Sequence, residues 1–600
     1  MPPIQPQQQQ APLPTVQRTP TEMEFWIGGC NSLMHPSMIT SRLSAFGTMI
    51  PTKQYAWAEN VMTRGGIPQT RPGMGYVASF LGNLLQGMCF FQPTNSLPTM
   101  VIAVDGYLYY AFAPYNAFTR IKGIKFSATA PIVNFCSCIQ SVVNNPDGSL
   151  TLISPVNILI AQDGVSRAAY WNGSGGGHID PTSPNNGTPI GLWMEWTASR
   201  LWVAQGNSVF AGDICNPLSF TETVYLDETS NFQLPGPCTG LKQTTDMAGL
   251  FAFTAQTVTA FQSSIRVRSE WQTTPGFQTL LVPNVGCVAG RSIVNQYGII
   301  YWMSQRGAIG MDSALASKHT SVLTTIDGQM TRSKRKLSAD LSRICATAYE
   351  NLYLVSVPSG ASGNAHTWIL DQSPIGDAAS GGTGAAWTGI WSGFQPVSWA
   401  VLPDGSACYC ATQDQNSFDG TQIHIWRAFD PQRQDNLGGS IACQFETAQA
   451  AFPVKMRFAF AEIDLCEIRG NVSLQVYWGG SKGPWIQILD AQLQAEDGCF
   501  GSAAMPRITK TSTITAFQPQ CRTLKTVDFS PQGQAPYLEG PDIPGVDKCH
   551  GLLFQWTGRM GIRKVTIWAT QETQAQVGAT APSEAGRHNI LAQDGSAIPL

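Results

Sequence analysis

The feature that most constrains the fold is a repeated apolar hairpin pattern. Seven short strand pairs recur along the chain, and their central residues are Val104, Ile160, Val203, Ala252, Tyr301, Tyr353 and Leu402. Successive central residues are 43 to 56 positions apart, and most gaps are 49 to 52 positions. A repeat of about 40–50 residues that holds a hairpin is typical of the four-stranded blades of β-propellers. Blades cover each other on both faces, so their strands read as nearly continuous apolar runs.

Asp-Gly pairs, the strongest short signal for a two-residue hairpin turn, indicate a chain made mostly of strands. They begin at Asp105, Asp147, Asp163, Asp327, Asp404, Asp419, Asp497 and Asp594. The sequence therefore predicts an all-β fold with an irregular six- or seven-bladed β-propeller over residues 51–440. The alternative is a string of β-sandwich domains. It would leave linkers of different composition, and the repeating stretch contains none.

Strict alternation replaces the continuous apolar runs after about residue 445. Residues 453–460 and 471–480 place apolar side chains at every second position, which is the pattern of strands buried on one face. Two further strands are predicted at 551–556 and 564–569, after a Pro- and Gly-rich loop at 530–546. We predict a β-sandwich-like domain over residues 441–570. A Pro/Gln-rich arm and docking segment (1–50) precede the propeller, and a C-terminal arm (571–600) ends the chain.

One segment favours a helix, and it adjoins the one basic block of the chain. Residues 333–349 place Leu337, Leu341, Ile344 and Ala348 at helical spacing. The basic block consists of Arg332, Lys334, Arg335 and Lys336. A solvated helix start is the favoured interpretation because short basic runs are common, and contact with nucleic acid is the minority interpretation.

Charged side chains are scarce. The chain has 36 Lys and Arg against 39 Asp and Glu in 600 residues, or 12% charged, where an ordinary domain carries about 25%. The net charge of −3 excludes the strongly basic surface of a protein that grips DNA through its phosphates. Few charges with many aromatic residues predict broad surfaces covered by neighbouring subunits. No apolar run reaches the roughly 18 residues of a membrane span, so no membrane-spanning segment is expected.

No residue pattern supports a catalytic or cofactor-binding site, and we predict that the protein is not an enzyme. Most visible Asp residues belong to Asp-Gly turns, and no phosphate-binding loop motif is present. Two C-x-C pairs, Cys136/Cys138 and Cys408/Cys410, would place both thiols on one strand face. Core thiols are the favoured interpretation of these pairs, and zinc is the minority one, so no metal ligand is assigned.

The remaining candidate groups are scattered. The seven His residues are His35, His178, His319, His366, His424, His550 and His588, and they form no recognisable motif. Glycosylation sequons begin at Asn172, Asn186 and Asn471. Without a secretory signal these sequons indicate no modification.

A segment near the start carries a family resemblance. Within Gln54 to Met74 the pattern consists of Asn60, Arg64, Gly65, Gly66, Arg71, Pro72 and Gly73. Segments at 199–220, 249–262, 285–311, 341–358 and 452–485 follow in the same order. Together they resemble the β-propeller tail-hub or nozzle proteins, also called packaged-DNA stabilisation proteins, of short-tailed bacteriophages. In that family the opening motif leads into the first blade.

The resemblance implies a structural virion protein located in the tail and assembled in the host cytoplasm. Such proteins form cyclic homo-oligomers, most often hexamers, below the portal and its head-to-tail adaptor ring. The central channel retains packaged double-stranded DNA and conducts it during ejection, and tail fibres or tailspikes dock nearby. Two alternatives remain open. One is a propeller hydrolase, such as a glycan depolymerase, which needs paired carboxylates. The other is a receptor-binding or capsid-decorating module.

Overall fold

The structure is a computed structural model of the chain. It describes residues 18–571 apart from 40, 44–48, 52, 146, 148, 181–186, 222–230, 245–248, 263–269, 272–273, 313–329, 339, 361, 373–384, 415–421, 431–434, 437–438, 481–484, 495–511 and 515–545. The predicted Pro/Gln-rich start, the loop at 530–545 and the end from 572 lie outside the described residues. Within the described part, no helix has the length and apolar character that a bilayer crossing needs.

The N-terminal region contributes seven strands. They are β1 (Arg18–Glu24), β2 (Ser41–Leu43), β3 (Met49–Pro51), β4 (Trp57–Glu59), β5 (Val61–Met62), β6 (Gln69–Thr70) and β7 (Gly73–Phe80). Short 3-10 helices span Pro36–Met38 and Arg64–Gly66. The first two blades follow. Blade 1 contains β8 (Leu85–Phe91), β9 (Thr99–Val104), β10 (Tyr107–Phe112) and β11 (Thr119–Arg120). Blade 2 contains β12 (Asn134–Asn144), β13 (Leu150–Gln162), β14 (Ala169–Trp171) and β15 (Gly176–His178).

Three further small sheets continue the propeller. Blade 3 contains β16 (Trp193–Thr197), β17 (Arg200–Gln205), β18 (Ser208–Ala211) and β19 (Asn231–Gln233). Blade 4 contains β20 (Cys238–Gln243), β21 (Leu250–Thr254), β22 (Val258–Phe261) and β23 (Gln278–Val282). A 3-10 helix at Gly290–Ser292 leads into blade 5, which contains β24 (Val294–Gln296), β25 (Ile299–Ser304) and β26 (Gly307–Asp312).

The remaining strands complete the ring and build a second body. The sixth position in the ring holds β27 (Cys345–Tyr349), β28 (Leu352–Ser359), β29 (Ser362–Asp371) and β30 (Ala386–Trp391). Blade 7 contains β31 (Pro396–Val401), β32 (Cys408–Gln413) and β33 (Ile423–Asp430). The other strands are β34 (Asp435–Asn436), β35 (Gly439–Ser440), β36 (Ala442–Glu446), β37 (Ala450–Gly479), β38 (Ile486–Gln494), β39 (Ser512–Ile514) and β40 (Val546–Gln571).

The predicted β-propeller is confirmed. Six of its sheets stand alone as blades, and the sixth position is filled by β27–β30, which also belong to a large curled sheet. The first strands of most neighbouring blades lie side by side, β20 contacts the 3-10 helix that leads into blade 5, and β31 contacts β8, so the ring closes. The closing blade takes its outermost strand from the N-terminal side, because β7 pairs with β33. Predicted hairpin geometry also holds where Asp105 and Gly106, both with positive φ, join β9 to β10.

Most interfaces between blades have their own apolar core, and the interface of blade 5 with the sixth position belongs to a larger core shared with the C-terminal strands. Trp171 of blade 2 packs with Phe91 of blade 1, and Phe220 near blade 3 packs with Ile160 of blade 2. Trp202 joins blades 3 and 4, and Trp302 joins blades 4 and 5. Separate clusters join the sixth position to blade 7 and blade 7 to blade 1. Propeller stability therefore comes from contacts between neighbours.

The C-terminal strands predicted from alternation are confirmed as strands, and hydrogen bonds join them in one curled sheet. Its order is β27-β28-β29-β30-β4-β36-β40-β37-β38, and β1 also pairs with β40. Strand β4 links the propeller to the curled sheet, since it pairs with β30 on one side and β36 on the other. Strands β1 and β4 of the N-terminal region therefore pair directly with the C-terminal strands.

The predicted helix over 333–349 is wrong. An α-helix spans four residues, Thr331–Lys334, and Cys345–Tyr349 form β27. Ile344 and Cys345 are buried in the cores on the two sides of this strand. The ring requires a first strand at this position, and that tertiary packing overrides the weak local preference for a helix.

Candidate functional site

The opening motif forms the joint between the propeller and the curled sheet. Arg71 is 1% exposed, and its guanidinium donates three hydrogen bonds. Nε donates to Oδ1 of Asn60 at 2.9 Å, Nη1 to the carbonyl of Pro72 at 3.0 Å, and Nη2 to the carbonyl of Ser392 at 3.3 Å. Asn60 carries the bonds further, because its Nδ2 donates to the carbonyl of Ala442 at 2.9 Å. One guanidinium and one amide thus connect the N-terminal strands, the sixth position of the ring and β36.

Aromatic rings complete the surroundings of Arg71. Its guanidinium carbon lies 5.6 Å from the ring centre of Trp391 and 5.1 Å from that of Phe394. Burial lowers the pKa of Arg71 to about 10, so the side chain remains charged at neutral pH. Its charge is shared among carbonyl oxygens and aromatic faces. The geometry is that of a structural joint.

The glycines of the motif tie the joint to the N-terminal segment. Gly65 and Gly66 have φ values of 71° and 78°, which favour glycine. The carbonyl of Gly66 accepts a hydrogen bond from the backbone N–H of Trp26 at 2.9 Å. A Cβ added to Gly66 would lie 3.2 Å from the Cα of Phe25. The close approach of the two backbone segments therefore requires glycine at position 66.

The axis of the propeller is almost free of charge. Among the first strands of the blades, as the structure describes them, Glu195 of β16 and Lys242 of β20 are the charged residues. Lys242 Nζ lies 3.4 Å from Glu195 Oε1, and the backbone N–H of Gln243 donates to the same oxygen at 3.2 Å. A propeller hydrolase needs two convergent carboxylates. These strands supply one carboxylate, and a lysine neutralises it.

The basic block lies at a pocket of about 390 Å³, which we call the basic pocket. Its lining residues are Asn31, Ser32, Met34, Pro36, Ala56, Arg332, Arg335, Lys336 and Glu446. Arg332 Nη1 donates to Glu446 Oε2 at 2.8 Å, and the Arg332 guanidinium lies 5.1 Å from the ring centre of Trp57. Burial raises the pKa of Glu446, and Arg332 opposes that shift.

A second, polar pocket of about 350 Å³ lies on the curled sheet. Its lining residues are Glu59, Ala442, Cys443, Gln444, Ser473, Gln475, Gln555, Trp556 and Thr557. Strands β4, β36, β37 and β40 supply these residues. Its three glutamine side chains offer hydrogen bonds without a concentrated charge. The lining therefore gives no indication of a particular ligand.

The cysteine pairs lie on shared strand faces, as predicted. The sulfurs of Cys136 and Cys138 are 3.8 Å apart in the core between blades 2 and 3. Cys408 and Cys410 are buried between the sixth position and blade 7. Burial raises the pKa of Cys138, Cys408 and Cys410, which keeps them as thiols. No group of three or more metal-ligating side chains was found among the described residues.

The five histidines that the structure describes lie apart from one another. His178 lies within hydrogen-bonding distance of the carbonyls of Arg167 and Lys125, and His366 Nδ1 lies 3.0 Å from Ser333 Oγ. His550 is buried in the curled sheet, and His35 and His424 occupy other regions. His319, His588 and the sequon residue Asn186 lie outside the described residues. Sequon residue Asn172 occupies a turn, and Asn471 lies in β37.

Sequence reasoning did not identify the partners of the basic block. The pocket joins Asn31 and Ser32 to Arg332 and Glu446, which are about 300 and 400 residues further along the chain. The one sequence feature that pointed to this pocket was the cluster of four basic residues. The acidic partner, Glu446, ends β36, a strand with no distinguishing motif, so no local pattern connects the two.

No family model matches the chain, and no curated protein matches it. Among solved structures, one similarity is to a chain from "Crystal Structure of Mitotic Checkpoint Complex". The two chains are 12% identical, and the match covers 60% of this chain and 90% of that chain, with a TM-score of 0.33. Similarity at this TM-score gives no information about function.

Proposed function

We propose that this chain is a structural virion protein, the tail nozzle or hub of a short-tailed bacteriophage. In this proposal copies of the chain form a ring, with six as the expected number, below the head-to-tail adaptor. The ring encloses a channel that retains packaged double-stranded DNA and conducts it during ejection. Tail fibres or tailspikes would dock on its outer surface.

The observation that carries the proposal is the role of the opening motif. Asn60 and Arg71 bond across the joint between the propeller and the curled sheet, Gly66 bonds to the N-terminal segment beside it, and Gly73 begins the strand that closes the ring. The residues that carry the family resemblance thus have a definite architectural purpose. A chance match of Gly and Arg residues would have no reason to fall on this joint.

Two properties of the surface support assembly. The hairpin of β12 and β13 has strands of 11 and 13 residues, whereas the second strands of blades 1, 3 and 4 have 5 or 6. On this long hairpin Leu150 is 67% exposed and Leu152 is 82% exposed. Their side chains point to the same face, because alternate residues of a strand do. A neighbouring copy that covers this face would bury both leucines.

Light scattering after size exclusion, followed by negative-stain imaging, tests the proposal. Wild-type protein is expected to form rings with an open centre, alone or with portal and adaptor proteins. The double variant Leu150→Asp/Leu152→Asp should yield monomers that retain the wild-type circular dichroism. Asn231→Asp/Gln233→Glu adds the same charge at two exposed polar positions of β19, away from this hairpin, and should still form rings.

Two results would overturn the proposal. The first is a wild-type protein that stays monomeric in the presence of portal and adaptor proteins. The second is cleavage of a polysaccharide by that monomer, which would favour the hydrolase alternative. Rings whose channel is too narrow for duplex DNA would contradict the conducting role while leaving self-assembly intact.

A further inference from the structure

The basic pocket has an uncompensated positive charge. Arg332, Arg335 and Lys336 line it, and Glu446 is the one carboxylate among its lining residues. That carboxylate is engaged by Arg332 at 2.8 Å. The exposed side chains of Arg335 and Lys336 have no ion-pair partner within the described part of the chain. Among the described residues, two positive charges therefore line the pocket without a counterion.

Three segments that are distant in sequence hold these groups in place. The backbone N–H of Arg332 donates to Ser32 Oγ at 3.0 Å, which attaches the short helix to the N-terminal segment. Trp368 Nε1 donates to the buried hydroxyl of Ser333 at 2.8 Å, which attaches the same helix to β29. Lys334 points elsewhere, since its Nζ donates to the carbonyl of Arg306. The backbone of the short helix that leads into Arg335 and Lys336 is thus held from two sides.

We propose that the basic pocket is a binding site for a phosphate group. Arginine presents a planar set of N–H donors that matches phosphate oxygens, and lysine adds a point charge. A phosphate monoester or free phosphate carries about −1.5 to −2 at pH 7, which matches the two uncompensated charges better than a single carboxylate does. The pocket volume of about 390 Å³ falls in the range of small-molecule sites. The inference does not depend on the proposed nozzle role.

Calorimetric titration of the full chain with orthophosphate tests the site. We expect saturable binding with one phosphate per chain, and acetate at equal ionic strength should bind more weakly. The variant Arg335→Gln/Lys336→Gln should weaken phosphate binding by about tenfold or more, because it removes both free charges. Lys122→Gln/Lys125→Gln removes the same charge from blade 1 and should leave the affinity unchanged. Thermal midpoints in chloride buffer should match the wild type for both double variants.

A third variant tests the charge argument in the opposite direction. Met34 lines the pocket and is 53% exposed, so Met34→Glu adds a carboxylate without removing a contact of the basic residues. It should also weaken phosphate binding. Equal losses in the pocket variant and the Lys122/Lys125 control, or no phosphate binding in the wild type, would overturn the proposal.

The source of the phosphate is distinguished by two further titrations. A nucleoside monophosphate that binds more tightly than orthophosphate, and loses that affinity in the pocket variant, would identify a small phosphate ester as the ligand. If orthophosphate binds as tightly as the nucleoside monophosphate, the ligand is the free phosphate anion. A third outcome is that duplex DNA binds, that this binding requires Arg335 and Lys336, and that orthophosphate does not bind. It would contradict a phosphate pocket and indicate a nucleic-acid surface instead.

Discussion

The propeller and the curled sheet are stabilised in different ways. Six of the seven interfaces between neighbouring ring positions have a separate apolar cluster, so a contact such as Trp202 with Trp271 concerns blades 3 and 4, and blade 5 meets the sixth position within the core of the curled sheet. The curled sheet has one large core instead, to which the N-terminal segment, the sixth ring position and the C-terminal strands all contribute. Buried polar side chains such as Arg71 and His550 also lie in or beside the curled sheet. The propeller should therefore respond locally to damage, and the curled sheet should respond as a unit.

The largest expected effects come from removing one aromatic ring in each region. Trp202→Ala empties part of the core between blades 3 and 4. Phe445→Ala removes an aromatic ring whose centre lies 5.4 Å from the ring centre of Trp26 and 5.0 Å from that of Tyr55. Both substitutions should cost about 3–5 kcal/mol of local stability. Hydrogen exchange measured by mass spectrometry shows which regions of the chain lose protection in each variant.

For Trp202→Ala, exchange should rise in residues 193–282 and stay unchanged in the other blades. For Phe445→Ala, exchange should rise together in the N-terminal segment, the sixth ring position and β40, because they share one core. Faster exchange throughout all blades in Trp202→Ala would show that the ring unfolds as one unit. The contrast between the two regions would then be wrong.

A titratable group gives the curled sheet a pH dependence. His550 is fully buried, accepts a hydrogen bond on Nδ1 from Trp478 Nε1 at 3.1 Å, and lies with Nε2 3.1 Å from the carbonyl of Met456. This arrangement suits the neutral ring with its proton on Nε2. Burial lowers the pKa of His550 from 6.5 to about 4. Protonation of Nδ1 would break the bond from Trp478.

The unfolded chain protonates this histidine near pH 6.5, while the folded chain resists protonation until about pH 4. Stability should therefore fall as the pH drops through this window, by about 3 kcal/mol in total from this group. Urea denaturation at several pH values measures the loss. His550→Gln cannot titrate and should show a smaller decrease between the same pH values. An identical decrease in both proteins would assign the effect to other groups.

The regular part of the fold could be predicted from the sequence, and the joint could not. Six of the seven predicted hairpin centres, from Val104 to Tyr353, lie on the second strands of successive ring positions. Each hairpin is local, so its apolar pattern is visible in one short window. Leu402 falls one residue after β31. The pairing of β7 with β33 joins residues about 350 positions apart, and no pattern in either strand specifies it.

The same limit applies to the candidate sites. Asn60 and Arg71 could be noticed as a pattern, but their partners Ser392 and Ala442 could not, because those contacts use backbone groups that every residue carries. The strand at 345–349 was predicted as a helix for a related reason. The spacing of apolar residues there is that of a helix. The segment forms a strand because of its position in the ring, which the local sequence does not show.

Glutamine side chains between blades permit a finer test of local response. Gln162 ends β13, and its amide donates to the carbonyl of Pro189 at 3.0 Å and accepts from the backbone N–H of Gly191 at 2.7 Å. Gln413 ends β32 and bonds in the same way to Asn83 and Leu85, at 2.6 and 2.9 Å. Each glutamine thus holds the chain that enters the next blade.

Gln162→Ala should cost about 1–3 kcal/mol, because it leaves a buried N–H and a carbonyl without partners. Gln413→Ala should cost less, since the bond to Asn83 is exposed to water. Gln205 ends β17 at the corresponding position of blade 3 and is exposed, so Gln205→Ala is the matched control with little expected effect. Hydrogen exchange of the strand that follows each glutamine measures the change. Equal costs at all three positions would contradict the role of these bonds.

The smallest expected effect concerns an ion pair on the curled sheet. Arg563 Nε donates to Asp464 Oδ2 at 2.6 Å, and the Arg563 side chain is 48% exposed. In the same pair of strands Leu465 lies opposite Ile562, and both are fully buried. A double-mutant cycle with Arg563→Ala and Asp464→Ala should give a coupling of about 0.2–1 kcal/mol that decreases with added salt. Leu465→Ala should cost about 2–5 kcal/mol independently of salt, because cavity formation is not screened. A coupling larger than the leucine effect would mean that charge, rather than apolar packing, holds β37 against β40.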